Sequence, residues 1–217
     1  MHTVIVAGGP CSAVWLKSYL DTHPYDRLIA ADRGLDTLLE AGVTPDILLG
    51  DYDSVSDGGR VAAMRQRGIP VETYPAEKNF TDGEAALRAA MALGSTQITL
   101  LGATGGRLDH FLASLQGMLI PFEAGIDVSM ADAQNELRLI RGSAELTREE
   151  CGGRYVSLLP LAGPVTGLSM QGFKYPLKDF TLEMGSSRCV SNELAGERGV
   201  ISFSGGTAVL VLSGDRP

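Results

Sequence analysis

The sequence predicts an α/β N-terminal domain with a mostly parallel sheet, followed by a small all-β, sandwich-like C-terminal domain. Three observations carry this. Short apolar runs alternate with helical stretches through about the first 130 residues. The helical spacing then stops, and short β-prone runs follow, separated by Gly, Pro and Ser. Alternating strand and helix implies crossovers and a parallel sheet covered on both faces, whereas closely spaced short strands imply an antiparallel sandwich. The change falls near Ala131–Asn135, giving expected domains 1–131 and 132–217.

In the first domain the expected strands are Thr3–Ala7, Leu28–Ala31, Ile47–Gly50, Val71–Tyr74, Gln97–Leu101 and Asp127–Met130. Helices are expected over Ser12–Leu20, Leu35–Ala41, Gly58–Arg67, Asp82–Leu93 and Leu108–Ile120. Thr81-Asp82-Gly83-Glu84 has capping-box spacing, and Gly42 and Gly94 stand where helices end on a left-handed residue. Leu108, Leu112, Leu115 and Leu119 follow one another at 4, 3 and 4, a stripe expected to be core. In the second domain the β-prone runs are Glu136–Ile140, Tyr155–Leu159, Val165–Met170, Val200–Phe203 and Ala208–Leu212, with no helix expected.

Composition narrows the function. Hydrophobic residues make up 44% of the 217, enough for a substantial core. The net charge of −8 argues against a nucleic-acid partner, which calls for a basic surface. It also requires any bound polyphosphate to be neutralised locally. Cys11, Cys151 and Cys189 are far apart and odd in number, so neither a zinc site nor a disulfide framework is expected, and a reducing cytoplasm is the expected location. No apolar stretch approaches the roughly 20 residues that cross a bilayer, and Met1–Val6 does not read as a signal peptide.

The unusual polar clusters of the first domain each follow a strand: Gly8-Gly9, Asp32-Arg33-Gly34, Gly50-Asp51-Tyr52-Asp53-Ser54 and Gly102-Ala103-Thr104-Gly105-Gly106. Parallel sheets bind ligands outside the carboxyl ends of their strands, so these clusters are expected to share one rim. Asp51 and Asp53, two apart at a strand end, can point the same way and offer a hard cation such as Mg²⁺ the oxygen ligands it takes. The competing reading is a polar turn whose Asp and Ser bond to nearby backbone.

Gly102–Gly106 is a Gly-rich strand-to-helix turn suited to phosphate, or simply to close helix packing. Arg107 and His110 stand three apart at the next helix start; the first offers a fork for phosphate, the second is a base or a structural histidine. Asp109 suits the helix start with or without a function. Lys78 and Asp82 flank the capped helix start, where they read as a phosphate contact and a third metal ligand, or as a solvated cation and a cap.

Taken together and in order, Asp32-Arg33-Gly34, Gly50-Asp51-Tyr52-Asp53-Ser54, Lys78-Asn79-Phe80-Thr81-Asp82 and Gly102–His110 resemble the thiamine pyrophosphokinase (thiamine diphosphokinase) family. Tyr175-Pro176-Leu177 and Ser191-Asn192-Glu193 extend the resemblance into the second domain. The resemblance implies a homodimer with active sites at the subunit interface, an N-terminal domain for ATP and Mg²⁺, and a C-terminal domain that helps bind thiamine. It implies transfer of pyrophosphate from ATP to the thiamine hydroxyl, with release of AMP.

By that resemblance Asp51, Asp53 and Asp82 are metal ligands, with Lys78 and Arg107 on the transferring group. Asp32, Arg33, Thr81, Gly102, Thr104 and Gly105 lie around the nucleotide, and Asp109, His110, Tyr175, Ser191 and Asn192 on the thiamine side. Two positions depart from the usual family pattern: Arg33 replaces a Gly, and Asn79 replaces an Asp. If an aromatic covers the thiazolium, Phe173 and Tyr175 are the candidates, since Trp15 lies in the first helix. Two rivals remain: a phosphatase of the haloacid-dehalogenase type with Asp51 as nucleophile, and a non-catalytic nucleotide or thiamine binder.

Overall fold

The computed structural model describes residues 1–51, 58–75 and 79–215. Asp53 and Lys78, with the rest of 52–57 and 76–78, lie outside the described residues. The chain divides into two units, Met1–Asp132 and Ala133–Pro217.

In the first unit β1 (His2–Val6), β2 (Arg27–Ala31), β3 (Ile47–Gly50), β4 (Val71–Thr73), β5 (Gln97–Leu101) and β6 (Asp127–Ala131) are all parallel, in the order β4-β3-β2-β1-β5-β6. The chain runs outward from β1 through β2 and β3 to β4, then returns to the other side of β1 as β5. The strand order therefore reverses at the β1/β5 pair. Helices α1 (Ala13–Thr22), α2 (Gly34–Glu40) and α3 (Gly58–Gln66) cover one face, where Leu16, Leu35, Leu38, Val61 and Met64 join Val4, Val6, Leu28, Ala30 and Leu48 in one core. The alternate strand residues Ile5, Ile29 and Leu49 are fully buried, and α4 (Asp82–Ala92) packs against β1, β2 and β3. Burial on both faces is why these strands read as continuous apolar runs.

Local signals account for the helix ends. Thr81 Oγ1 accepts the Glu84 N–H at 3.1 Å, and the Glu84 carboxylate pairs with Arg88 one turn on. Gly42 and Gly94 both follow the last helical turns with positive φ, at 69° and 82°.

The expected helix Leu108–Ile120 is two helices, α5 (Leu108–Gly117) and α6 (Leu119–Glu123). Pro121 explains the break, because its ring has no N–H to donate and crowds the carbonyl four residues earlier, that of Gly117. The leucine stripe is a second correction. No residue of α5 is buried, and Leu108 and Leu112 are 74% and 53% exposed. Periodicity shows that a helix has an apolar face; it does not say that the same chain covers it.

The second unit is a sandwich. One antiparallel sheet has the order β7-β13-β9, from β7 (Asn135–Ile140), β13 (Ala208–Ser213) and β9 (Tyr155–Pro160). The other has the order β11-β10-β12-β8, from β11 (Leu177–Leu182), β10 (Val165–Gln171), β12 (Arg198–Ser202) and β8 (Ser143–Thr147). Alternate residues of both sheets, among them Leu146, Val156, Leu158, Leu168, Met170 and Leu210, form its core. Strands β8 and β11 went unforeseen, as did α7 (Arg148–Cys151). That helix is a single turn, too short to show a period. Its signature is the capping box, in which Thr147 and Glu150 satisfy each other's backbone N–H groups.

Candidate active site

The expected rim exists, and it is built backbone to backbone. Beyond β1 and β5 the ladder continues as Ala7 N–H donates to Leu101 O at 2.8 Å and Gly9 N–H to Gly102 O at 2.9 Å. A Cβ on Gly9 would lie 2.4 Å from Gly102 O, and one on Gly34 only 1.9 Å from Val6 O. Gly8 faces the Arg33 side chain, where an added Cβ would approach to 3.0 Å. Asp32 N–H donates to Leu49 O at 2.8 Å, and Tyr74 N–H to Gly50 O at 3.1 Å. The loops after β4, β3, β2, β1 and β5 are thus joined in one row, and the β1/β5 reversal in it is where open α/β sheets bind ligands.

Asp32 stands in this row with φ +49°, a left-handed conformation unusual for a residue with a side chain, of the kind that clusters at functional sites. Asp51, just past Gly50, is half-buried, as is Asp82 on the first turn of α4, with Thr81 at the cap. Burial raises the Tyr74 phenol pKa, followed by the hydrogen bond to Glu72, the Glu72 charge and the Asp82 charge. Tyr74, bonded to Gly50 O and felt by Asp82, connects the β3 and α4 ends of the row. It packs edge-on against Phe80, with ring centroids 5.6 Å apart. Both rings line a groove of about 400 Å³ between β4 and α4.

In the Gly-rich turn, Gly102 is buried with φ +66°, and Gly105 packs over Pro10. Thr104 and Gly105 are half-buried, while Arg33 is exposed at the start of α2. Arg107 is the N-cap residue of α5 and not a helical neighbour of His110. It folds onto Asp109 in a two-pronged pair, Nε to Oδ1 at 3.1 Å and Nη2 to Oδ2 at 2.6 Å. That bond, with the His110 N–H also donating to Asp109, holds the Asp109 carboxyl down at about 2 although both partners are exposed. His110 is exposed as well.

Among the described residues no three His, Cys, Asp or Glu side chains gather into a possible metal site. The expected three-carboxylate set includes Asp53, outside those residues. The described part of that set, Asp51 and Asp82, offers only carboxylate oxygen, the donor chemistry of a hard divalent cation.

One pairing was missed in the sequence. Arg60 Nη1 reaches Asp36 Oδ1 at 2.6 Å, tying the first turn of α3 to that of α2. The two residues are 24 apart in sequence, and no local spacing announces the contact.

In the second unit, Ser191 is exposed and left-handed (φ +57°), with its N–H on Ser157 Oγ at 2.9 Å. Tyr175 is 59% exposed. Phe173 is 3% exposed and packs in the core, so it is no ring for a ligand. Asn192 is also buried, at 3%, and both of its side-chain polar atoms bind main chain. A direct contact from that amide to a ligand, as the sequence suggested, does not fit this placement.

These features define a class: an open parallel α/β unit with its candidate site at the carboxyl ends of the strands, joined to a β-sandwich unit. Comparison with known proteins makes this particular. The family model for the thiamin pyrophosphokinase catalytic domain matches residues 17–130, and that for the thiamin pyrophosphokinase vitamin B1 binding domain matches residues 143–208. The thiamine pyrophosphokinase of Bacillus subtilis (strain 168) is 35% identical over 218 residues, spanning 99% of this chain and 100% of that protein. The crystal structure of thiamine pyrophosphokinase from B. subtilis matches with a TM-score of 0.87 at 34% identity, over 99% of this chain and 100% of that one. The structure of thiamin pyrophosphokinase from Geobacillus thermodenitrificans matches with 0.84 at 35% identity, over 99% and 98%. The chain belongs to the thiamine pyrophosphokinase family and is an enzyme of that family.

Proposed function

We propose that the enzyme transfers pyrophosphate from ATP to the hydroxyl of thiamine, giving thiamine diphosphate and AMP, by in-line attack on the β-phosphorus. The observation that carries this is the glycine-locked rim, which sets Asp32, Asp51 and the Gly-rich turn after β5 in one row of strand ends that includes the strand-order reversal. Phosphoryl transfers depend chiefly on positioning and on stabilising developing charge.

Backbone N–H groups of the Gly102–Gly106 turn and the start of α5 suit phosphate oxygens. Arg107, together with Lys78, would stabilise the transferring group, with Arg107 releasing Asp109 as it does so. Asp32, Arg33, Thr81 and Thr104 would surround the nucleotide. Asp51, Asp53 and Asp82 would hold Mg²⁺, which when bound supplies charge neutralisation and orientation of the phosphates. The weak base for the thiamine hydroxyl is sought among Asp32, Asp53 and Asp109. Asp109 and His110 remain assigned to the thiamine side, with Tyr175 and Ser191. The net charge of −8 suits a cationic substrate.

A homodimer belongs to the same reading, supported by the uncovered apolar face of α5. Replacing Leu112→Glu is expected to halve the mass measured by light scattering. A cytoplasmic location fits three free thiols, two of them buried. Among the described residues no helix is long and apolar enough to cross a membrane.

The test is chromatographic. With thiamine, ATP and Mg²⁺ the wild type should accumulate thiamine diphosphate, and Asp51→Asn should slow it roughly a hundredfold or more. No thiamine diphosphate from the wild type would refute the proposal. A phosphate trapped on Asp51 would favour the phosphatase, and thiamine binding without turnover the simple binder.

A further inference from the structure

Helices α2 and α3 begin with little local support. Arg33 stands at the N-cap of α2 and makes no side-chain cap bond, while α3 opens on Gly58-Gly59, two weak helix formers, with no acidic residue in its first turn. Arg60, in that same turn, is a cation at the positive end of the helix dipole, where it costs stability. The two starts share one tie, Arg60 Nη1 to Asp36 Oδ1 at 2.6 Å, with the Asp36 side chain 12% exposed and that of Arg60 34%. A partly buried ion pair repays little more than its desolvation, so stability alone does not account for this one.

Its place in the fold does. Helix α2 winds directly out of the Asp32 turn: Asp32 O accepts the Leu35 N–H at 3.2 Å, and Arg33 O accepts the Asp36 N–H at 3.0 Å. Helix α3 is the next element after the strand end that leads into Asp51. At that end an added Cβ on Gly50 would lie 3.2 Å from Asp32 Cα, and Asp32 N–H donates to Leu49 O at 2.8 Å. The segments bearing Asp32 and Asp51 are therefore fastened twice, by backbone where they leave β2 and β3, and by Arg60–Asp36 where α2 and α3 begin. Like charges on Asp32 and Asp51 repel until a cation lies between them, so a fixed span calls for a bond that does not depend on that cation.

We propose that Arg60 and Asp36 are a positioning pair for the reaction: their bond sets the span between the Asp32 turn and the Asp51 strand end, and with it the spacing of carboxylates offered to a divalent cation and its polyphosphate. They act through the two rim segments and not by touching substrate. This rests on the metal-assisted reading above and assigns what holds that site in register. Groups that orient metal ligands from behind govern metal affinity by about tenfold to a hundredfold.

The test joins a binding measurement to kinetics. Mn²⁺ alone, which takes the same oxygen ligands as Mg²⁺, is titrated into the enzyme and followed by the EPR signal of the free ion. Asp36→Leu combined with Arg60→Met replaces the pair by apolar side chains, which should leave the melting temperature within about 4 °C of wild type. The same double variant is expected to bind Mn²⁺ about tenfold or more weakly and to need correspondingly more Mg²⁺ for half-maximal turnover, while the thiamine KM stays within about twofold. A purely structural pair would move the melting temperature and leave Mn²⁺ affinity alone. Should the apolar pair fail to fold, single changes at Arg60 decide: Arg60→Lys keeps the charge and should bind Mn²⁺ within about threefold of wild type, whereas Arg60→Gln should lose about tenfold.

Mn²⁺ affinity within about twofold of wild type in the folded double variant would overturn the assignment, and so would equal affinities in Arg60→Lys and Arg60→Gln. If the wild type binds no Mn²⁺ and turns over without added metal, the metal-assisted reading fails and takes the pair's role with it. Wild-type binding with an indifferent double variant fails the assignment alone.

Discussion

The two units hold their candidate residues in place by opposite means. In the α/β unit the rim depends on missing side chains: Gly9, Gly34 and Gly102 let backbone approach backbone where a Cβ would stand 1.9–2.5 Å from a carbonyl oxygen. In the β-sandwich unit the exposed ring is held in part by a side chain that is present, the buried amide of Asn192, which binds the Tyr175 backbone next to the antiparallel Phe173–Leu194 bridge. Backbone contact makes a rigid edge that tolerates no added atom. A side-chain clamp makes a local support that fails when atoms are removed.

The sharpest way to break this contrast is to add one carbon to the rim. Gly34→Ala should destabilise the enzyme by on the order of 3 kcal/mol, since Val6 O belongs to the buried strand β1 and cannot move aside. Thermal unfolding reports it, with Gly42→Ala as the control. There nothing lies within 4 Å, and only the left-handed backbone (φ +69°) opposes the change, by about 1 kcal/mol. Equal losses at the two positions would show that the rim is not tightly packed.

Next in size is the division of labour. Arg107→Ala should lower kcat/KM for ATP roughly a hundredfold, about 2.7 kcal/mol, with little change in melting temperature because the side chain is exposed. A smaller effect belongs to Ser191, which carries a left-handed φ of +57°. Ser191→Gly should relieve that strain at some cost in unfolded-chain entropy, for a net gain of roughly 0.5 kcal/mol. If the hydroxyl contacts thiamine, activity falls while stability rises.

The smallest effect is electrostatic. The Asp109 carboxyl is lowered by Arg107, so its contribution to stability is present above the ordinary carboxylate range and is lost only as pH falls toward about 2. An NMR titration should find that midpoint, and Arg107→Ala should return it to the usual range. Any acid limb of the activity profile near pH 5 then belongs to another group.

Most of the first unit was legible because each element announces itself locally: continuous apolar runs for strands buried on both faces, Thr81 at a cap, glycines after strands. Gly8, Gly34 and Gly102 stood out in the sequence as clusters, though which backbone each would meet is a property of strand order. Three failures have separate physical causes. The leucine stripe of α5 reports an apolar face and not its partner. The single-turn α7 is shorter than any period. Asn192 is set by a contact 17 residues away in sequence, and no pattern of residue types shows that its amide turns inward to Tyr175. The Arg60–Asp36 pair escaped for the same reason.

The account's central claim is that a pyrophosphoryl group leaves ATP as a unit for the thiamine hydroxyl. Phosphorus NMR of one incubation with thiamine, ATP and Mg²⁺ tests it most directly. AMP and thiamine diphosphate rising together, in equal amounts and only when thiamine is present, is the result predicted. ADP or inorganic phosphate as the first product would contradict it.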